Sequence, residues 1–93
     1  MTVSTLRLEL RVSHCHTPGD ARRQMRTIMA KLHRSFNVSV AAADRFGDPG
    51  AVVLLAAAVG PTRRQARETL ERVADAVAAH PRAEVLGNAI TEV

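Results

Sequence analysis

Ala51-Val52-Val53-Leu54-Leu55-Ala56-Ala57-Ala58-Val59 is the longest apolar stretch of the chain, bounded by Gly50 and by Gly60-Pro61. Its reading decides the fold. Alanine-rich runs also form helices, but this one is short and closed at both ends by residues that break them. An unbroken apolar run of this length fits a strand with both faces covered. It is also far too short to span a bilayer as a helix.

Upstream of this run, Asp44 to Gly50 contains Asp, Gly, Pro and Gly, which predicts a turn or short loop. Before that, Phe36, Val38, Val40 and Ala42 alternate with Asn37, Ser39, Ala41 and Ala43, the period of a strand. Further back, Ala21, Met25, Ile28, Met29 and Leu32 form one apolar stripe at helical spacing, which predicts a helix to about Ser35. Thr17-Pro18-Gly19-Asp20 opens it, with Thr17 as cap, Pro18 in the first helical position and Asp20 where a capping-box acid belongs. The chain starts on a clean alternation, Leu6, Leu8, Leu10 and Val12 against Arg7, Glu9 and Arg11, a strand with one buried face.

Downstream of the run a second helix begins. Either Thr62 and Gln65 form its capping box, or Pro61 occupies the first turn behind a Gly60 cap. Ala66, Leu70, Val73 and Val77 make its buried stripe, Glu68–Arg72 is a favourable pair on its wet side, and His80-Pro81 ends it. Ala83 to Val93 reads as a last strand, interrupted at Gly87-Asn88 by a bulge. The order β-α-β-β-α-β, a loose two-fold repeat, favours one antiparallel sheet with both helices on a single face. This is a ferredoxin-like α+β fold with the first and third strands in the centre. Ninety-three residues allow one such domain, 1–93.

Composition narrows the function. Thirteen Lys and Arg against nine Asp and Glu give a formal charge of +4, and twelve of the bases are Arg. Guanidinium groups form bidentate contacts with phosphate, so the balance is compatible with an RNA or ribosomal partner. Cys15 is the only cysteine, which excludes an internal disulfide and suits a reducing cytoplasm. The first residues lack the basic start and apolar run of a signal peptide, and no membrane association is expected.

The Phe36-Asn37-Val38-Ser39-Val40-Ala41-Ala42-Ala43-Asp44 stretch resembles a signature of the YlxP-like family, small bacterial proteins of unknown function. The resemblance extends ungapped back through the first helix. There the family's Ser-Leu-Lys-Glu-Lys-Arg segment corresponds to Thr17-Pro18-Gly19-Asp20-Ala21-Arg22, with Gly19 and Ala21 in place of two lysines and Pro18 in place of a leucine. The later strand and helix match in pattern and length. The resemblance implies a ferredoxin-like fold. It also implies, through the frequent encoding of such proteins beside translation, transcription-termination and ribosome-maturation factors, a role near RNA or the ribosome. It brings no catalytic residue.

Sites of catalysis are not apparent in the residues either. His14-Cys15-His16 offers good zinc-ligand types, but on an extended strand Cys15 points away from both histidines, and neither His33 nor His80 completes a zinc spacing. Cys15 lacks a nucleophile signature, Gly47-Asp48-Pro49-Gly50 is turn chemistry, and no phosphate loop is present. The expectation is a non-enzyme without cofactor or metal. Two surfaces remain. Arg22, Arg23, Arg26, Lys31 and Arg34 of the first helix could join Arg63, Arg64 and Arg67 of the second to contact rRNA phosphates or a ribosomal subunit; parallel or antiparallel packing decides whether they merge. No aromatic ring is placed to stack a base, so neither RNA nor DNA sequence readout is expected. The open sheet face, with Arg7 and Arg11 and whichever parity of Val52, Val53, Leu54 and Leu55 looks outward, is the candidate interface for a homodimer or another protein.

Overall fold

A computed structural model of the chain describes residues 1–44 and 48–93. The elements are β1 (Thr2–Val12), α1 (Pro18–Ser35), β2 (Val38–Asp44), β3 (Ala51–Gly60), α2 (Arg63–Ala78) and β4 (Ala83–Glu92). The strands form one antiparallel sheet in the order β2-β3-β1-β4. Of the turn expected over Asp44–Gly50, Arg45, Phe46 and Gly47 lie outside the described residues.

The alternation of β1 works as its sequence implies. Leu6, Leu8, Leu10 and Val12 are at most 2% exposed, whereas Arg7 and Arg11 lie on the opposite, open face. Both helices cover the first of these faces. Met25, Ile28 and Leu32 of α1 and Leu70, Val73 and Val77 of α2 join the β1 leucines and the inward residues of β3 in one core. The hydrophobic effect, at about 25 cal/mol per Å² of apolar area, therefore fastens four strands and two helices through a single layer of side chains.

The β3 stretch is a strand, but covered on one face only. Val52, Leu54, Ala56 and Ala58 are buried against the helices, while Leu55 and Val59 stand 49% and 58% exposed. This corrects the expectation of two covered faces. A sheet whose helices all lie on one side leaves the alternate residues of even a wholly apolar strand in contact with water. It also removes Val52 and Leu54 from the candidate interface and leaves Val53 and Leu55 in it.

Local chemistry sets the helix ends. Thr17 is the extended N-cap of α1, and the Asp20 carboxylate accepts the backbone N–H of His16 (2.9 Å) and Thr17 (3.1 Å). Of the two openings compatible with the sequence of α2, the Thr62 cap is the one adopted: its hydroxyl accepts the Gln65 N–H at 3.2 Å. Gly60 ends β3 where the chain doubles back, and a Cβ there would lie 2.9 Å from the Ala66 nitrogen. The irregularity in β4 falls one residue earlier than its Gly87-Asn88 pair suggests. Glu9 faces Gly87 and Leu10 faces Val85, so Leu86 is the extra residue of the bulge. β2 begins at Val38, since Phe36 caps the C-terminus of α1 and packs against the core.

The Asp20 contacts give a pH prediction. Backbone hydrogen bonds from His16 and then Thr17 hold its carboxyl below the ordinary carboxylate range, with a further contribution from Arg23. A folded-state pKa below the unfolded value contributes stability that is complete above the unfolded value and is lost as pH falls through the folded one. Asp20→Ala should thus lower the thermal midpoint at neutral pH, and the gap to the parent protein should close as pH falls below about 4. A gap that is independent of pH would assign the effect to the backbone rather than to the charge.

Candidate nucleic-acid interface

Helix α1 concentrates the positive charge of the chain. Its eighteen residues carry Arg22, Arg23, Arg26, Lys31 and Arg34 against the single acid Asp20. The apolar stripe fixes the rotation of the helix, since Ala21, Met25, Ile28 and Leu32 are buried, and all five bases are left exposed. Arg23 pairs with Asp20, whereas among the described residues Arg26, Lys31 and Arg34 make no ion pair.

The α2 bases are different in kind. Arg64 pairs with Glu68 at 3.1 Å, Arg67 with Glu71 at 3.0 Å, and Arg63 with Glu92 of β4. Glu68 pairs with Arg64, one turn before it, and not with Arg72, one turn after. Exposed pairs of this kind are worth at most about 1 kcal/mol, but they balance charge locally and thin out the field that a polyanion would meet.

The two helices also start at opposite ends of the sheet. β1 and β3 are antiparallel, with Thr2 beside Gly60 at one end and Arg11 beside Ala51 at the other. α1 leaves the Val12 end and α2 leaves the Gly60 end, so the helices run antiparallel. Arg22, Arg23 and Arg26 stand at one end of the helical layer and Arg63, Arg64 and Arg67 at the other. The two N-terminal clusters do not merge into one patch, while Lys31 and Arg34, late in α1, lie toward the Gly60 end where α2 begins.

The open face of the sheet carries Arg7, Glu9 and Arg11 on β1, with Arg7 and Glu9 paired at 2.7 Å. Among the described residues no aromatic ring lies on this face, because Phe36 belongs to the core side. Stacked bases have no platform there.

His14-Cys15-His16 lies beyond β1, which ends at Val12. The expected strand alternation therefore does not apply, and His14 sits in a turn with φ of 59°. Among the described residues no group of three metal-ligating side chains comes together. His14 and Cys15 border a cleft of about 480 Å³ that also includes Arg11, Asp48 and Arg82. Arg11, Asp48 and Arg82 are engaged within the protein, although the buried Arg82 Nε has no hydrogen-bond partner among the described residues. Arg11 makes a two-pronged contact with Asp48, at 3.2 and 2.8 Å, which raises the pKa of Arg11. Arg82 donates to the Ser13 carbonyl at 2.9 Å and the His14 carbonyl at 3.5 Å, tying the end of β1 to the start of β4. Sequence reading missed Arg82 because its partners are some seventy positions away, and only the β1–β4 pairing brings them together. No helix among the described residues is long and apolar enough to cross a membrane.

These features define an α+β protein of ferredoxin-like fold, in which four antiparallel strands carry two helices on one face. The chain belongs to the DUF503 family, proteins of unknown function, whose model matches residues 3–89. Among solved structures it is similar to a candidate antibiotic biosynthesis monooxygenase of Chloroflexus aurantiacus J-10-fl, at 22% identity and a TM-score of 0.60 over 96% of this chain and 90% of that one. It is also similar to two de novo designed proteins. For Foldit4 the values are 17% identity and TM-score 0.59 over 96% of both chains. For LFR1 1, designed with a ferredoxin fold, they are 12% identity and TM-score 0.57 over 100% of this chain and 84% of that one. At these identities the likeness concerns the fold alone. A search of curated proteins finds no match.

Proposed function

We propose that the protein is a non-catalytic RNA-associated factor that binds phosphate through α1, without reading base identity. One observation carries this reading: α1 holds five bases to one acid, all five exposed, three of them outside any ion pair among the described residues. An Arg-rich helix face that is not neutralised in place is the arrangement by which proteins displace counterions from a nucleic-acid backbone. Among the described residues no aromatic platform lies on the open sheet face, which favours recognition by charge and shape. The resemblance to YlxP-like proteins, with its implied neighbourhood of ribosome-maturation factors, supports RNA over other polyanions, and ribosomal RNA in a reducing cytoplasm is the setting we favour. The likeness to a candidate monooxygenase does not change the assignment, since at 22% identity it concerns the fold alone.

The test is binding to ribosomal RNA and to an unrelated single-stranded RNA at several salt concentrations. With about four phosphates neutralised, affinity should fall about 50-fold between 50 and 200 mM salt, and the two RNAs should differ little. No binding at low salt, or binding insensitive to salt, would sink the proposal.

A further inference from the structure

We infer that the open face of the sheet is the interface of a homodimer, in which two copies pack sheet against sheet with Leu55 in its middle row and Val59 toward one end. This surface lies opposite α1, and the inference is independent of the RNA reading.

The strand registers lay out the face as rows. Val3 stands beside Val59, Thr5 beside Ala57, and Arg7 beside Leu55, with Glu9 beside Val53. On one flank Ser39 and Ala41 of β2 adjoin Ala57 and Leu55; on the other, Thr91 and Ala89 of β4 adjoin Thr5 and Arg7. Most of these side chains are small, so the surface is flat enough for a second sheet to approach at the usual spacing of about 10 Å. The large ones stand proud of it: Val3 is 37% exposed, Leu55 49% and Val59 58%. Val3 and Val59 are cross-strand neighbours, and the small Thr5–Ala57 row links them to Leu55, two rows on, so the three share one low apolar patch.

Area and charge both point to a second copy. Four strands about 4.8 Å apart and five rows about 6.7 Å apart make a face of about 600 Å². Two such faces closed on each other remove about 1,200 Å² from water, the lower bound for a stable specific interface. A two-fold contact brings like surfaces together, so the surface must not repel itself. Here Arg7 and Arg11 are matched by Glu9 and Asp48, the partners they already hold. The net charge of the chain sits on the helical side, where two copies would repel. With only ninety-three residues, the chain also gains stability from any contact made by the folded state alone.

Sedimentation equilibrium of the full chain over a wide concentration range tests the inference, in low and in high salt. The expected result is reversible association to a dimer that persists in high salt, since apolar burial dominates it. Leu55→Asp should weaken association by about a hundredfold or more, as expected for a charge placed at the centre of an interface. Arg64→Asp, on the helical side, should leave it unchanged. Circular dichroism verifies that both variants are folded; should Leu55→Asp be unfolded, Val59→Thr provides the milder disruption of the same patch. A strict monomer at every concentration overturns the inference, and so does a dimer that neither Leu55→Asp nor Val59→Thr weakens.

Discussion

Leu54→Asp should abolish folding, while Leu55→Asp, one residue further on, should leave the secondary structure intact. Leu54 has no exposed surface and lies in the core layer between β3 and the helices. Truncating such a leucine costs about 2–5 kcal/mol. An aspartate adds the desolvation of a carboxylate with no counter-charge among the core residues around it, a further several kcal/mol. A domain of this size has about 5–14 kcal/mol of stability in all, so the two terms together consume it. Leu55 keeps half its surface in water, and its replacement costs a monomer about 1 kcal/mol or less. Far-UV circular dichroism and urea denaturation of the two variants measure the contrast. Comparable loss in both would contradict the inward parity of β3. Folded Leu54→Asp protein with native stability would contradict the single core.

That parity illustrates what the sequence could and could not reveal. Alternation in β1 specified its buried face, because leucine and valine took one parity and charged residues the other. In β3 every residue from Ala51 to Val59 is apolar, so either parity would satisfy a periodicity argument, and Val52 and Leu54 were as eligible for the interface as Val53 and Leu55. Only the register with β1, Leu54 opposite Leu8 and Leu55 opposite Arg7, makes the choice. The caps were legible for the opposite reason. Thr17 with Asp20 and Thr62 with Gln65 act within four residues, where local spacing is the geometry. Arg82 was illegible because its contacts to Ser13 and His14 span the whole fold.

The candidate RNA surface was legible in residue type but not in arrangement. All eight bases were visible, and so was the helix each belongs to. Their separation follows from chain direction. Once the first and third strands are the antiparallel centre of the sheet, the helices that follow them must start at opposite ends. That consequence was available in the β-α-β-β-α-β order itself. The pairing of α2 was not, because Glu68 has an arginine one turn away on either side, Arg64 and Arg72, and spacing alone does not choose between them.

The division of charge between the helices yields the second large effect. A triple reversal on α1, Arg26→Glu with Lys31→Glu and Arg34→Glu, should abolish measurable RNA binding at moderate salt. The matching reversal on α2, Arg63→Glu with Arg64→Glu and Arg67→Glu, should weaken it only modestly, although both variants change the net charge equally. The three α1 residues are exposed and make no ion pair among the described residues, so each is available to replace a counterion on the RNA. The three α2 residues each hold an acid, Glu92, Glu68 or Glu71, and sit at the far end of the helical layer from Arg22 and Arg23. If contacts of α1 supply about three of the neutralised phosphates, their loss costs about a hundredfold or more and lowers the slope of log affinity against log salt by about two. All six positions are exposed, so stability should change little in either variant, which thermal unfolding verifies. Equal losses in the two variants would mean that RNA responds to overall charge and not to a surface, and a larger loss in the α2 variant would move the site to the other helix.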